Sequence, residues 1–233
     1  MLVPHYWRIN DLSGLARANL VFESMPPPQK TRFKRIFEEF SKGVVFNKTV
    51  HVRYRYRFAG EEPIRALYFV RMLFFAPLHF VPACKPLLRF LEYYLYPERQ
   101  SDYLFEKYQP SLVFNTAAGQ SFSLLKAARR HRVPSIDMPK SWDNASKLLF
   151  RVKSDYIFAW GPFMAEQIVQ YQGYRPREVV LTGIPQFDYY SAKKGLIPRE
   201  EFFRKFNFDP AKKLILYVST GGDCCDETDY LFL

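Results

Sequence analysis

The hexapeptide Pro139-Lys140-Ser141-Trp142-Asp143-Asn144 gathers several chemically capable side chains in one short run. A tryptophan can stack on the face of a sugar or a base while the neighbouring carboxylate and amide bond its hydroxyls. Asp143 is also a candidate general base for an acceptor hydroxyl, although no second carboxylate accompanies it. The competing reading is structural: Trp142 plugs the core, and Asp143 or Asn144 caps a helix that begins near Ala145. A second run, Asn115-Thr116-Ala117-Ala118-Gly119-Gln120-Ser121, has the small residues of a tight turn into a helix. There Asn115, Thr116, Gly119, Ser121 and the free N–H groups of the helix start could hold an anion or a sugar hydroxyl. Ser121 as an ordinary helix N-cap is the alternative. The run has too few glycines for a dinucleotide fingerprint or a phosphate-binding loop. In a third run, Thr182 to Asp188, Gly183 permits a tight turn and Pro185 fixes the exit direction.

What must position these runs is a set of short strands. Pro110 to Asn115, Val133 to Met138, Asp155 to Trp160 and Val179 to Gly183 each read as a buried strand. Between them the pattern is helical: Phe122, Leu124, Leu125 and Ala128 at helical spacing with Lys126, Arg129 and Arg130 outward, and a further helix over Met164 to Tyr171. Strands alternating with helices at short spacing predict an α/β fold with a parallel sheet flanked by helices. In open sheets of this kind ligands bind outside the carboxyl ends of the strands, where all three runs fall.

Composition narrows the classes. The 233 residues carry 34 Lys plus Arg against 23 Asp plus Glu, a formal net charge of +11, with 48% hydrophobic and 24% charged residues. That balance fits a globular domain rather than a disordered chain, and the basic excess biases the surface toward phosphates or anionic lipid. Arg53, Arg55 and Arg57 alternate with Tyr54 and Tyr56 at strand period, which puts the tyrosines on the face that should be buried. A stacking platform for nucleic acid is disfavoured on that ground. The aromatic stretch Pro63 to Tyr96 is broken by Arg65, Arg71, Lys85 and Arg89 and by prolines, so it is not expected to span a bilayer. It reads either as helices packed into the domain or as a basic aromatic surface against an anionic membrane. Cys84, Cys224 and Cys225 show neither metal-ligand spacing nor an even-numbered disulfide framework, and no secretory leader pattern opens the chain. A cytoplasmic location is expected, with a peripheral position at the inner membrane face as the variant that suits the aromatic stretch.

The ordered set Ser141-Trp142-Asp143-Asn144, Ala159-Trp160-Gly161, Thr182-Gly183-x-Pro185-x-Phe187-Asp188 and Lys213-Leu214-Ile215-Leu216-Tyr217 resembles bacterial surface-polysaccharide transferases of GT-B architecture. The Gly-x-Pro-x-x-Asp turn is also similar to that of the CDP-glycerol glycerophosphotransferases and the UDP-N-acetylglucosamine 2-epimerase group. The resemblance covers roughly Pro110 to Thr220. It implies a Rossmann-like acceptor-side domain over residues 1–190, a linker over 191–212, and in 213–233 the first strand of a truncated C-terminal domain that binds the donor. It further implies a nucleotide-activated sugar or alditol-phosphate donor, a glycan or lipid-linked acceptor, and no tightly bound cofactor or metal. Asn115, Thr116, Gly119, Ser121, Ser141, Trp142, Asn144, Gly183, Pro185 and Asp188 are then the candidate substrate contacts, and Asp143 the candidate catalytic base. With the donor half missing, the fragment alone is expected to be inactive. An epimerase would share the fold but need several titratable groups in its cleft. A non-catalytic basic module on anionic membrane or nucleic acid is the reading from another class. The first buried strand of such a domain is not evident before Asn19 to Glu23, so an upstream start is expected.

Overall fold

Each short apolar run bounded by a proline or a small-residue turn becomes one strand of a parallel sheet, because the helices between the runs fold back and bury one face of it. The computed structural model describes residues 2–3, 20–24, 31–48, 50–52, 73–192 and 195–216. The expected Arg53 to Arg57 strand, residues 63–72 of the aromatic stretch and residues 217–233 lie outside them. The chain divides into two compact units, Met1–Pro185 and Gln186–Leu233.

The first unit is an α/β domain of Rossmann-like type, built on a parallel sheet in the order β3 (Val113–Asn115), β4 (Ser135–Asp137), β5 (Tyr156–Ala159) and β6 (Val179–Leu181). All four expected strands are present. Between them run α4 (Phe122–His131), α5 (Asn144–Lys147) and α6 (Pro162–Gln172), preceded by α1 (Arg32–Gly43), α2 (Cys84–Leu95) and α3 (Asp102–Tyr108). Because the strands follow one another in sheet order, right-handed crossovers place the connecting helices on one face. That face carries Val113, Asn115, Asp137, Ile157 and Ala159, all buried. Val113 packs with Leu124, Ala127 and Ala128 of α4, and Ile157 and Ala159 pack with Met164 and Ile168 of α6. The opposite face leaves Phe114, Tyr156 and Val180 exposed.

Local signals set the helix limits. Thr31 caps α1 by accepting the Lys34 N–H at 3.2 Å. Gly161 and Pro162 open α6, and Gly173 closes it at φ +62°, the usual division of labour between proline at a helix start and glycine beyond its end. Gln172, fully buried, donates to the carbonyls of Ala145 and Leu148 and accepts from Phe150 N, fixing the chain that leaves α5.

Three expectations need correction. Lys126 does not face outward: its side chain is 0% exposed and joins a buried ionic network, because Glu92 and Glu98 lie where α4 packs and offer it two carboxylates. A short strand, β1 (Leu2–Val3), precedes the Asn19 to Glu23 region and pairs in parallel with β2 (Glu23–Ser24), while Leu20 to Phe22 are not strand. In the second unit, Lys213 to Leu216, the described part of the expected strand, adopts no strand, and Ile215 is 91% exposed. Among the described residues no strand takes up its N–H and C=O groups, so that stretch gains nothing from an extended ladder. The described core of the second unit is instead α8 (Arg199–Lys205), preceded by α7 (Asp188–Ser191), with Phe203 buried among Phe202 and Phe208.

Candidate functional site

The carboxyl ends of β3 and β4 are zipped together beyond the sheet. Met138 N donates to Asn115 O at 2.8 Å, and Ala118 N donates to Met138 O at 3.4 Å. The two candidate loops, Asn115 to Ser121 and Pro139 to Asn144, therefore stand side by side. The loop after β6 is tied to β5 by Thr182 N donating to Ala159 O at 3.0 Å, and it presents Gly183 (φ +79°) and Pro185 to solvent. Asp188 belongs to the second unit.

In the first loop Thr116 is exposed and the side chain of Asn115 is buried, its Oδ1 receiving Ala117 N at 3.3 Å. Gly119 sits at φ +78°, and a Cβ there would come within 2.8 Å of Cδ1 of Phe150. Alanine at this position combines a left-handed backbone with a clash against a fully buried ring, so Gly119→Ala is expected to cost about 2 kcal/mol or more. Chemical denaturation checks this, and a change near zero would show that the loop relaxes freely. Ser121 is buried but makes no side-chain cap bond to α4.

The second loop is ordered by its own polar groups. Ser141 N donates to Asn144 Oδ1 at 2.6 Å, and Ser141 Oγ donates to Asp143 Oδ1 at 2.8 Å. Asp143 also forms an ion pair with Lys147. Neither Asp143 nor Asn144 caps α5 with its side chain, since Asn144 bonds backward to Ser141. Trp142 does not plug the core: it is 60% exposed at the edge of the sheet. Burial alone would raise the Asp143 carboxyl, but the bonds from Lys147 and Ser141 outweigh it and hold the carboxyl below its ordinary value. A carboxylate so stabilised in its charged form is a weak proton acceptor and a good hydrogen-bond acceptor.

Beneath these loops lies a polar cluster that the sequence reading passed over. Asp137, the last residue of β4, is fully buried and accepts from Asn115 Nδ2 at 2.5 Å, while its Oδ2 has no hydrogen-bond partner. Burial pushes its carboxyl up to about 6, only partly offset by the Asn115 amide and the neighbouring Ser154 hydroxyl. Ser154 Oγ lies 3.1 Å from the Tyr174 hydroxyl, which burial and the nearby Asp137 charge hold above its ordinary range. The available signal was an acidic residue at an inward-facing position of an apolar strand, Val133 to Met138. Trp160 at the end of β5 likewise keeps its Nε1 buried and unpaired.

What the edge offers is an exposed indole in a preordered turn of hydroxyl, carboxylate and amide, beside a glycine turn at a helix start. Among the described residues no group of three or more His, Cys, Asp or Glu could hold a metal ion, and no helix is long and apolar enough to cross a membrane. No family model matches the chain, and neither a curated protein nor a solved structure resembles it at a significant level.

Proposed function

We propose that the chain is the acceptor-side half of a GT-B-type glycosyltransferase or alditol-phosphate transferase of cell-surface polysaccharide synthesis. The observation that carries this reading is Trp142, 60% exposed at the carboxyl edge of the parallel sheet within the turn that Ser141, Asp143 and Asn144 fix. An exposed indole beside fixed acceptors and donors suits the apolar face and hydroxyl rim of a sugar ring. Asp143, with its pKa lowered, acts in this proposal by accepting a bond from an acceptor hydroxyl. The nucleotide-activated donor is assigned to a second α/β domain, and the order of the Trp142, Trp160 and Gly183 motifs along the chain supports that architecture.

The test is acceptor binding. Tryptophan fluorescence and ligand-observed NMR with fragments of surface polysaccharide should detect a weak complex. Trp142→Ala should lower its affinity by roughly tenfold or more, the usual cost of removing an aromatic anchor, and leave the thermal midpoint in place. Unchanged affinity in that variant would remove the edge from the binding site. With CDP-glycerol or UDP-N-acetylglucosamine added to the full protein, donor turnover that requires acceptor supports transfer, whereas epimer formed without acceptor assigns the cleft to an epimerase.

A further inference from the structure

Two helices beside the buried ionic network turn some ionisable side chains inward and leave large apolar side chains in solvent. On α1, Lys34 and Glu38 turn inward to Glu98 and Arg151, while Phe33, Ile36 and Phe40 share the outer side, with Phe33 78% exposed. On α2, Glu92 is fully buried, while Leu87, Phe90 and Tyr94 repeat at helical spacing on the outer side, with Phe90 56% exposed. The helical stretch 73–79 and the turn after it add exposed Leu73, Phe74, Phe80 and Val81. The outer side of α1 adjoins the 73–79 stretch, since Phe40 meets Phe75 with ring centroids 5.2 Å apart.

A helix in water normally turns its charges outward and its apolar stripe to the core. Here Lys34 and Glu92 are buried at a cost while a broad aromatic patch is left in solvent, which marks a surface meant for something other than water. The surroundings of the patch indicate what that is. Arg32, Arg35 and Lys48 stand exposed along α1 and just beyond it, and the chain carries a net charge of +11. In a symmetric dimer the same basic residues would face their own copies across the interface, which is repulsive. An anionic bilayer instead takes aromatic side chains at the headgroup boundary and cations at its phosphates.

We propose that the outer side of α1, the 73–81 segment and α2 is a docking surface for an anionic membrane, lying in the interface without crossing it. The inference stands whether or not the sheet edge carries transfer chemistry. The test uses the whole chain in sedimentation with vesicles of phosphatidylcholine, with and without phosphatidylglycerol. Binding should rise with phosphatidylglycerol and fall with added salt. The double variant Phe33→Ser/Phe90→Ser should lower the partition coefficient by roughly tenfold or more, with its thermal midpoint unchanged, because both side chains point outward. Arg32→Gln/Arg35→Gln should flatten the salt dependence and leave the apolar contribution. Equal weak binding to every vesicle overturns the proposal, as does an unchanged partition in the Phe33/Phe90 variant. A concentration-dependent dimer that those same substitutions dissociate, without vesicle binding, assigns the face to a second copy of the chain and overturns it equally.

Discussion

Lys126→Met is expected to lower the unfolding free energy of the first unit by about 3–5 kcal/mol, the usual cost of removing one partner from a buried ion pair. Lys126 is completely buried on α4, and its ammonium donates to Glu92 Oε1 at 2.6 Å, Glu98 Oε2 at 3.0 Å and the Tyr96 carbonyl at 2.6 Å. The chain of charges continues on both sides. Glu98 Oε1 receives Lys34, Glu92 Oε2 receives Arg151 at 2.7 Å, and Arg151 reaches Glu38 at 2.9 Å. Lys34, Lys126 and Arg151 thus alternate with Glu38, Glu92 and Glu98 and tie α1, α2 and α4 to the segment before β5. Methionine fills nearly the same space, so the loss comes from the charge and not from a cavity: Glu92 is left with one cation in a site from which water is excluded. A domain whose whole stability is on the order of 5–15 kcal/mol cannot absorb that loss without a large shift in its urea midpoint. Adding Glu92→Gln to Lys126→Met should restore part of the loss, since the uncompensated charge is then gone. A midpoint within experimental scatter of the parent protein would mean that water reaches the network. Acid weakens it as well. Burial would raise the Glu98 carboxyl, but Lys34 and Lys126 outweigh that and hold it below its ordinary value, so its contribution is present above the ordinary carboxylate range and is lost as pH falls through the lowered value.

The same network shows where sequence reading reaches its limit. The four strands were legible because each is a local event: an apolar run of strand length, stopped by Pro110, Pro134 or Gly183, with a helical pattern between. The two loops at the carboxyl edge followed from strand order alone, and so did their side-by-side position. Lys126 was placed outward because lysine beside Arg129 and Arg130 on a helix normally faces water. What reverses it is Glu92 and Glu98, some thirty residues earlier, and no periodicity in α4 encodes their position. The inward turn of Lys34 and Glu38 on α1 and of Glu92 on α2 was hidden for the same reason: whether a charge faces in is decided by whether it finds partners across the core. At the edge, Trp142 and its turn were legible as unusual residue types, whereas Asp137 read as part of a strand. Its isolation became visible only in the fold, where Asn115 bonds one carboxylate oxygen and the other is buried without a partner.

Asp137→Asn is expected to stabilise the protein at neutral pH, against the usual direction of a core substitution. The carboxyl is held at about 6 in the folded protein against 3.8 in an unperturbed chain. A group whose folded pKa is raised favours the native state while it is protonated. Its contribution is therefore complete below about pH 4, is lost as pH rises toward 6, and stays lost above that. At roughly 1.4 kcal/mol per pKa unit, the native state at pH 7 carries a penalty on the order of 3 kcal/mol for ionising this group. Asparagine keeps the Oδ1 that accepts from Asn115 Nδ2 and places an uncharged amide where Oδ2 has no partner. The Ser154 and Tyr174 hydroxyls, 3.1 Å apart, are competent acceptors for the new N–H group. The variant should therefore unfold at higher urea than the parent at pH 7 and match it near pH 4. The difference between the two isolates Asp137 from the Glu98 network, because the network acts in the opposite direction and is present in both proteins. A carboxyl NMR titration of the parent should give a midpoint near 6 for Asp137. A midpoint below 4, or a variant less stable than the parent at pH 7, would show that a partner compensates the carboxylate in solution. Because Asn115 keeps its bond in the variant, acceptor binding at Trp142 should survive the substitution, so the effect on stability can be read separately from any effect on the site.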